Sequence, residues 1–168
     1  MKHRIWRIIK KYYLMLIRAK GTPHSIALGI ALGLFAGTAI PLGQVILALI
    51  LAFIFKANKI FAVAATFITN PYTTPFLYTF LCWLGVKVIG FHLTFFEIKE
   101  ALKGLVVSFD LNAISKLGNK LIVSYLVGGT IFGVVIGIIG YFVSKKMVVI
   151  HRKRKEIKRL ERRAKYIK

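Results

Sequence analysis

Two long stretches of the chain carry no charged side chain, and proline interrupts both of them. The first runs from Gly21 to Phe55 and contains Pro41 and Gly43 near its middle, and the second covers residues 60–86. Each exceeds the roughly 20 residues that cross a bilayer as a helix. Irregular backbone at that depth is tolerated only where it is buried in protein or lines a wet cavity. The pattern therefore predicts a membrane protein whose breaks mark a site.

The first stretch is too long for one straight membrane helix. Residues 26–55 would form a continuous helix of about 45 Å, whereas the hydrocarbon core is about 30 Å thick. If the stretch is split at Pro41 and Gly43, each arm is about 20 Å long and too short to cross alone. The stretch therefore forms either a kinked, tilted crossing or a re-entrant hairpin.

The second stretch restarts a helix inside its apolar region. Asn70 and Pro71 repeat the arrangement of Thr22 and Pro23, in which a polar cap precedes a proline at the first helical position. Pro75 belongs to the same break. We expect a half-helix to begin at Asn70.

Glycines at four-residue spacing mark two of the predicted helices. The last apolar stretch, residues 121–144, is long enough for one span. Small residues at this spacing let two helix backbones approach closely. We expect the first and last apolar helices to pack together, within one chain or between chains. The glycines concerned are Gly29, Gly33, Gly37, Gly129, Gly133 and Gly137.

Amphipathic and basic segments flank this core. Residues 2–20 predict a helix that lies on the membrane surface, or a basic flank that continues into the span. Thr94 and Glu97 match a capping box, so residues 91–120 contain either a surface helix or an ordinary packing helix. We interpret residues 1–168 as one membrane domain, with a basic N-terminal helix at 1–20, a membrane core at 21–144 and a basic cytoplasmic tail at 145–168.

Composition and charge indicate which side of the membrane the ends face. Hydrophobic residues make up 57% of the 168 residues and charged residues only 18%, whereas a soluble domain is about a quarter charged. Seven of the 26 basic residues lie in residues 1–20 and twelve in residues 145–168. Because basic flanks stay cytoplasmic, both termini should face the cytoplasm, which requires an even number of crossings. The prediction is an all-α, polytopic integral membrane protein with proline-broken or re-entrant helices.

The chain lacks the side chains that most enzymes need. None of the five acidic residues lies inside an apolar stretch, and the one cysteine is Cys82. The histidines, at positions 3, 24, 92 and 151, have no metal-ligand spacing. We expect no enzymatic activity, no metal and no cofactor.

The polar groups at the breaks are the candidate site. A half-helix that starts at Asn70 would direct unpaired backbone N–H groups and the positive end of its dipole at an anion. The alternative is that these side chains only satisfy backbone groups freed by the prolines. The candidate ligands of an anionic headgroup are Asn70, Thr73, Thr74, Gln44 and His24, and the candidate hinge residues are Pro41, Gly43, Pro71 and Pro75.

Several short motifs resemble one bacterial membrane family, catalogued as domain of unknown function 2062. They are the run Pro23-His24-Ser25-Ile26-Ala27-Leu28-Gly29, then Pro41-x-x-Gln44, Asn58, Thr69-Asn70-Pro71-x-Thr73-x-Pro75, Tyr78 and Gly85. The resemblance covers about residues 20–145. It implies a small helical inner-membrane protein without an established activity. Relatives joined to glycosyltransferase-like domains suggest, by analogy, lipid-linked sugars and polyprenyl phosphates.

We therefore expect a non-enzymatic protein of the bacterial cytoplasmic membrane. Its hypothesised role is to bind an anionic lipid or a lipid-linked, polyprenyl-phosphate-like headgroup at the broken helices, with translocation as an extension. The alternative is an accessory protein that docks partner membrane proteins, or further copies of itself, through its glycine faces and tail. The basic ends should bind anionic phospholipid. Because membrane topology and anionic lipid already account for these basic segments, nucleic acid is a disfavoured partner.

Overall fold

The computed structural model describes residues 21–70, 72–91, 95–99 and 111–167, and every regular element in these ranges is helical. Five helices are labelled here: α1 Pro23–Ala39, α2 Gln44–Ile54, α3 Lys59–Thr66, α4 Thr74–Ile89 and α5 Leu111–Ile167. The all-α prediction is thus confirmed for the described part of the chain. The predicted helix at 2–20, the cap residue Thr94 and the hinge residue Pro71 lie outside the described residues.

The first helix begins and ends where its polar and proline residues dictate. Thr22 is the N-cap of α1, because its Oγ1 accepts a hydrogen bond from the Ser25 backbone N–H at 3.1 Å, and Pro23 follows at the first position. The helix stops at Ala39, since Ile40 is extended with φ −130° and ψ 138°. A residue before proline is disfavoured in the helical region, and Pro41 comes next.

The two turns that follow reverse the chain twice. Gly43 has φ 73°, a left-handed conformation that glycine adopts freely, and α2 starts directly after it. After α2, Lys56 also has positive φ, at 52°. Asn58 then caps α3, because its Oδ1 accepts from the N–H groups of Ile60 at 3.1 Å and Phe61 at 3.3 Å.

The half-helix predicted at Asn70 begins four residues later, at Thr74. Thr73 is the N-cap, and Pro75 occupies the first turn of α4. Asn70 instead closes a tight turn ahead of the helix, so its polar side chain does not cap α4 itself. Gly90, with φ 85°, ends the helix in the left-handed conformation typical of a C-terminal cap.

One helix in the described residues is long and apolar enough to cross a membrane. It is the portion Asn119–Glu161 of α5, whose most apolar 18-residue segment has a mean hydropathy of 2.3. The shorter apolar helices α1, α2 and α4 fall below the spanning length. A single spanning helix makes membrane association plausible by length and composition only.

The two glycine stripes pack against different neighbours. Gly29, Gly33 and Gly37 of α1 face the backbone of α3, at Asn58, Ala62 and Thr66 respectively, so α1 and α3 run parallel. The stripe of α5 faces α1: a β-carbon at Gly129 would meet Thr38, one at Gly133 Phe35, and one at Gly137 Ala31. Helices α1 and α5 therefore pack together within one chain and antiparallel, but their glycines do not meet.

A third close contact joins α4 to α5. A β-carbon placed on Gly85 would overlap the carbonyl oxygen of Ser124, and one on Gly128 would overlap that of Leu81. These pairs show that α4 runs antiparallel to α5. Beside them lies a buried core cluster of Leu81, Cys82, Val86, Ile98, Leu121 and Tyr125.

Helices α1 and α4 follow each other along α5. The C-terminal end of α1 lies at Gly129 and Gly133, while Phe80 in α4 stacks edge-on against Phe132 of α5 with ring centroids 5.5 Å apart. Both proline breaks therefore lie level with the middle of the apolar stretch 121–144. The fold places the two predicted irregularities at one level along α5.

Leucine at Gly133 should destabilise the protein more than leucine at Val134. A β-carbon at Gly133 would lie 2.6 Å from Thr38 Oγ1 and 3.1 Å from Phe35 Cδ2, whereas Val134 is 47% exposed. Overpacking of this kind costs about 1–3 kcal/mol. The measurement is the melting temperature of each purified variant in detergent. Equal values would mean that α1 does not pack closely against Gly133.

Candidate functional site

The two proline breaks touch each other through side chains. The Tyr78 hydroxyl of α4 donates to the carbonyl oxygen of Pro41 at 3.2 Å. Thr69 Oγ1 lies 2.7 Å from Gln44 Oε1, which joins the end of α3 to the start of α2. Residues that are distant in sequence thus form one polar cluster, which we call the break site: Pro41, Gln44, Thr69, Asn70, Thr73, Thr74, Tyr78 and Tyr125.

The Asn70 turn satisfies most of its own polar groups. Asn70 Oδ1 accepts from the backbone N–H groups of Tyr72 at 2.9 Å and Thr73 at 3.0 Å. The Thr73 hydroxyl accepts from the Asn70 N–H at 3.0 Å and donates to the Ile68 carbonyl at 2.8 Å. The Thr74 hydroxyl donates to the Asn70 carbonyl at 2.7 Å. Thr73 and Thr74 therefore stabilise the turn and have no spare hydroxyl proton for a ligand.

Two carboxamide nitrogens remain available in this cluster. Asn70 Oδ1 accepts two backbone hydrogen bonds, and Gln44 Oε1 lies 2.7 Å from the Thr69 hydroxyl, which also lies 3.0 Å from the Thr66 carbonyl oxygen. Asn70 Nδ2 and Gln44 Nε2 have no hydrogen-bond partner among the described residues. Each nitrogen carries two N–H donors. Both side chains are half-buried. The break site thus presents donors, and those donors suit an anionic or carbonyl oxygen.

Tyr125 belongs to the site, although the sequence did not single it out. Its ring meets that of Tyr78 edge to face, with centroids 4.8 Å apart. Only 5% of the residue is exposed, and its hydroxyl makes no hydrogen bond of standard geometry with the described residues. A buried polar group without a partner is costly. The detectable signal was the adjacent pair of hydroxyl residues Ser124 and Tyr125 near the start of an apolar span.

Large apolar side chains surround the break site on the outer surface. Leu42 is 85% exposed, Tyr72 is 89% exposed and Phe76 is 78% exposed. They lie on the two turns and in the first turn of α4. In water such a surface would be unfavourable, whereas in a bilayer it faces lipid chains.

His24 does not join the break site. It sits in the first turn of α1, where its Nδ1 lies 2.7 Å from the Tyr141 hydroxyl. Thr38, level with the breaks, is 14 residues further along α1, which is about 20 Å of helix. The grouping of His24 with Asn70 is therefore not found in the structure.

The described residues contain no group of three or more histidine, cysteine or acidic side chains that would hold a metal ion.

A search of curated proteins found no match, and neither did a search of solved structures. A sequence model of a bacterial family, described as "Uncharacterized protein conserved in bacteria (DUF2062)", matches residues 6–156. That match covers the motifs at both breaks and all five helices except the ends of the tail. The chain belongs to this family.

Proposed function

We propose that the protein crosses the membrane twice and carries one re-entrant hairpin. Helices α1 and α2 enter to about mid-depth and return, α3 and α4 together make one broken crossing, and α5 crosses back. Helix α3 has 8 residues and α4 has 16, which gives about 36 Å of helix and exceeds the hydrocarbon core of about 30 Å. This explains why each half alone falls below the spanning length.

The distribution of charge supports this placement. Lys56 and Lys59 lie beside the start of α1, because the Ser25 hydroxyl donates to the Lys56 carbonyl oxygen at 3.3 Å and Asn58 N donates to Ser25 O at 2.9 Å. That end also holds the basic tail. Every acidic residue before the tail lies in the connection from α4 to α5, at positions 97, 100 and 110. An excess of Lys and Arg at one end favours a cytoplasmic orientation of that end.

Fusions of topology reporters test the placement. We expect cytoplasmic signals from fusions after Lys20 and after Lys168, and a periplasmic signal from an insertion after Gly90. The reason is the excess of lysine and arginine at the tail end. A periplasmic signal from either terminus, or a cytoplasmic one from Gly90, would contradict the two-crossing arrangement.

At the break site the proposed activity is non-enzymatic binding of an anionic lipid or lipid-linked headgroup. The observation that carries this proposal is the pair of unpartnered amide nitrogens, Asn70 Nδ2 and Gln44 Nε2, at mid-depth of an apolar protein. The positive end of α4 adds to the attraction for a phosphate oxygen. Carrier proteins hold their cargo at mid-depth between broken helices. The proposal therefore extends to translocation of the bound headgroup.

Lipid retained through purification tests the binding. We expect full-length protein in neutral detergent to carry phosphate-bearing lipid, detected by native mass spectrometry with lipid identification. Gln44→Leu should lower the retained lipid about tenfold, because it removes two donors from the site. Ile46→Leu, a 64% exposed position of the same helix, is the matched control. Retention that is equal in both variants would contradict a ligand role for Gln44.

The accessory role has less support. Glycine faces of α1, α4 and α5 already pack against helices of the same chain in the described structure. A partner protein would therefore have to bind other surfaces. For this reason we propose no second function.

A further inference from the structure

A second polar cluster lies at the other end of α1, where the apolar stretch of α5 gives way to the basic tail. Lys145 is the first charged residue after residues 121–144. Its ammonium group lies 3.3 Å from the Tyr141 hydroxyl and 5.3 Å from the centre of the Tyr141 ring. That hydroxyl in turn lies 2.7 Å from His24 Nδ1, with the two rings edge to face.

The chemistry of the groups limits the direction of these hydrogen bonds. An ammonium group is only a donor, so the Tyr141 oxygen accepts from Lys145. In the His24 tautomer whose hydrogen is on Nε2, Tyr141 donates its proton to Nδ1, and the Nε2–H is left for a ligand. His24 and Lys145 are both exposed. The cluster thus presents an N–H donor and a positive charge on one surface.

Neighbouring groups add positive potential to this surface. Arg152 donates to the Gly21 carbonyl oxygen at 2.7 Å, which holds the start of α1 against α5. The N-terminal end of α1 contributes the positive pole of its dipole. The nearest acidic residue along the tail is Glu156, one turn beyond Arg152.

The position of Lys145 differs from that of an ordinary lysine at a membrane boundary. Lysines there extend freely to the headgroups, whereas Lys145 is already held on the ring and hydroxyl of Tyr141. A side chain that is ordered before binding loses less entropy on binding. The arrangement is therefore suited to a defined ligand at headgroup level and not only to diffuse attraction.

We propose that His24, Tyr141 and Lys145 form an interfacial binding site for the phosphate headgroup of an anionic lipid. Lys145 supplies the charge, His24 Nε2 supplies a directed hydrogen bond, and Tyr141 positions both. The proposal rests on the membrane placement given above. Because the cluster lies about 20 Å from the break site along α1, it takes a lipid of its own in the cytoplasmic leaflet.

Titration of full-length protein with short-chain phosphatidic acid tests this site. The protein is held in neutral detergent and the exchangeable lipid is counted by native mass spectrometry, with short-chain diacylglycerol and inorganic phosphate as comparison ligands. We expect Lys145→Gln and His24→Gln to raise the Kd for phosphatidic acid about tenfold. Lys146→Gln removes the same charge one position along α5, about 100° round the helix, and should change the Kd less than about twofold.

Tyr141→Phe separates positioning from folding. This variant keeps the ring under Lys145 and loses the hydroxyl, so we expect about a fivefold rise in Kd with an unchanged melting temperature. Equal losses in Lys145→Gln and Lys146→Gln would overturn the proposal in favour of diffuse attraction. Competition by inorganic phosphate at the same concentration as the lipid would overturn the assignment to a lipid.

The two sites are distinguished by their readouts. Asn70→Asp should lose co-purified lipid but keep the part of the phosphatidic acid titration that depends on Lys145, and Lys145→Gln should lose that part. If Asn70 variants kept their co-purified lipid while Lys145→Gln lost its titration, the break-site proposal would fail and this one would stand. A titration curve that is the same for Lys145→Gln and wild type would overturn this one alone.

Discussion

Alanine at Gly128 is expected to destabilise the protein by about 3 kcal/mol, the upper end of the range for overpacked cores. A β-carbon there would overlap the Leu81 carbonyl oxygen and would lie 2.7 Å from the Gly85 backbone nitrogen. Both atoms belong to the backbone of α4, so no side-chain rotation relieves the overlap. The two helices would have to separate, which would disrupt the buried cluster around Leu81 and Tyr125.

The matched control is alanine at Gly140, in the same helix. There the nearest atom to an added β-carbon is Leu34 Cδ1 at 2.5 Å, the end of a side chain that can turn away. Alanine is also favoured over glycine by about 1 kcal/mol in a helix. Thermal unfolding in detergent should therefore show a large fall for Gly128→Ala and little change for Gly140→Ala. Equal melting temperatures would mean that α4 and α5 are not in backbone contact.

At Asn70, aspartate and leucine are both expected to lose bound lipid, but only leucine is expected to lose stability. Asn70→Asp keeps the oxygen that accepts from Tyr72 N and Thr73 N, so the turn should survive. It loses the NH₂ donors and places a negative charge against the proposed anion. The variant should therefore melt close to the wild type while retaining at least about tenfold less phosphate-bearing lipid.

Asn70→Leu removes the acceptor and leaves two backbone N–H groups without their partner. At a helix N-cap the loss of such a side-chain acceptor costs about 1 kcal/mol. We expect a similar cost in this turn, so the variant should lose both stability and lipid. Asn58→Asp serves as control, because Asn58 Oδ1 also accepts from two backbone N–H groups but lies outside the break site. If Asn70→Asp retained as much lipid as wild type, Asn70 would be a turn residue and nothing more.

Local signals in the sequence predicted one helix start correctly and placed a second one too early. Thr22 and Pro23 started α1 as expected, because the cap and the proline act within one turn of chain. At the second break the same pattern predicted a start four residues too early. Either Pro71 or Pro75 could occupy the first turn of a helix at this break, and Pro75 does so. The Thr73 and Thr74 hydroxyls close the Asn70 turn before the helix starts. Side-chain hydrogen bonds of this kind are not visible in residue spacing.

The partners of the glycine stripes could not be predicted from spacing alone. A stripe of small residues shows that some backbone comes close, and any helix backbone satisfies that condition. Gly33 faces Ala62 because α2 is a short return segment that brings α3 alongside α1. The opposite side of α1 presents Phe35 and Thr38 to the glycines of α5. Chain connectivity, which pairs these faces, is a property of the whole fold.

The candidate site was predicted in part. Proline breaks indicated that polar groups would gather, and Gln44 and Asn70 do lie in one cluster. The sequence could not separate the hydroxyls that are used within the turn from the amides that remain available, since that depends on geometry of a few tenths of an ångström. Nor could it separate His24 from the breaks, because one helix places its two ends about 20 Å apart.

The hairpin of α1 and α2 gives the molecule unequal widths in the two leaflets. With the proposed placement, the described residues contribute α1, α2, α3 and α5 to the cytoplasmic leaflet, but α4 and α5 to the outer one. In this placement the protein is wedge-shaped. Below the turn at Pro41 and Gly43 the outer leaflet must be filled by lipid tails, which gives acyl chains a lateral path to the break site. A wedge that is wider in the cytoplasmic leaflet would also favour bilayers whose cytoplasmic face is convex, so its distribution between flat and curved vesicles is a physical property that follows from one proline turn.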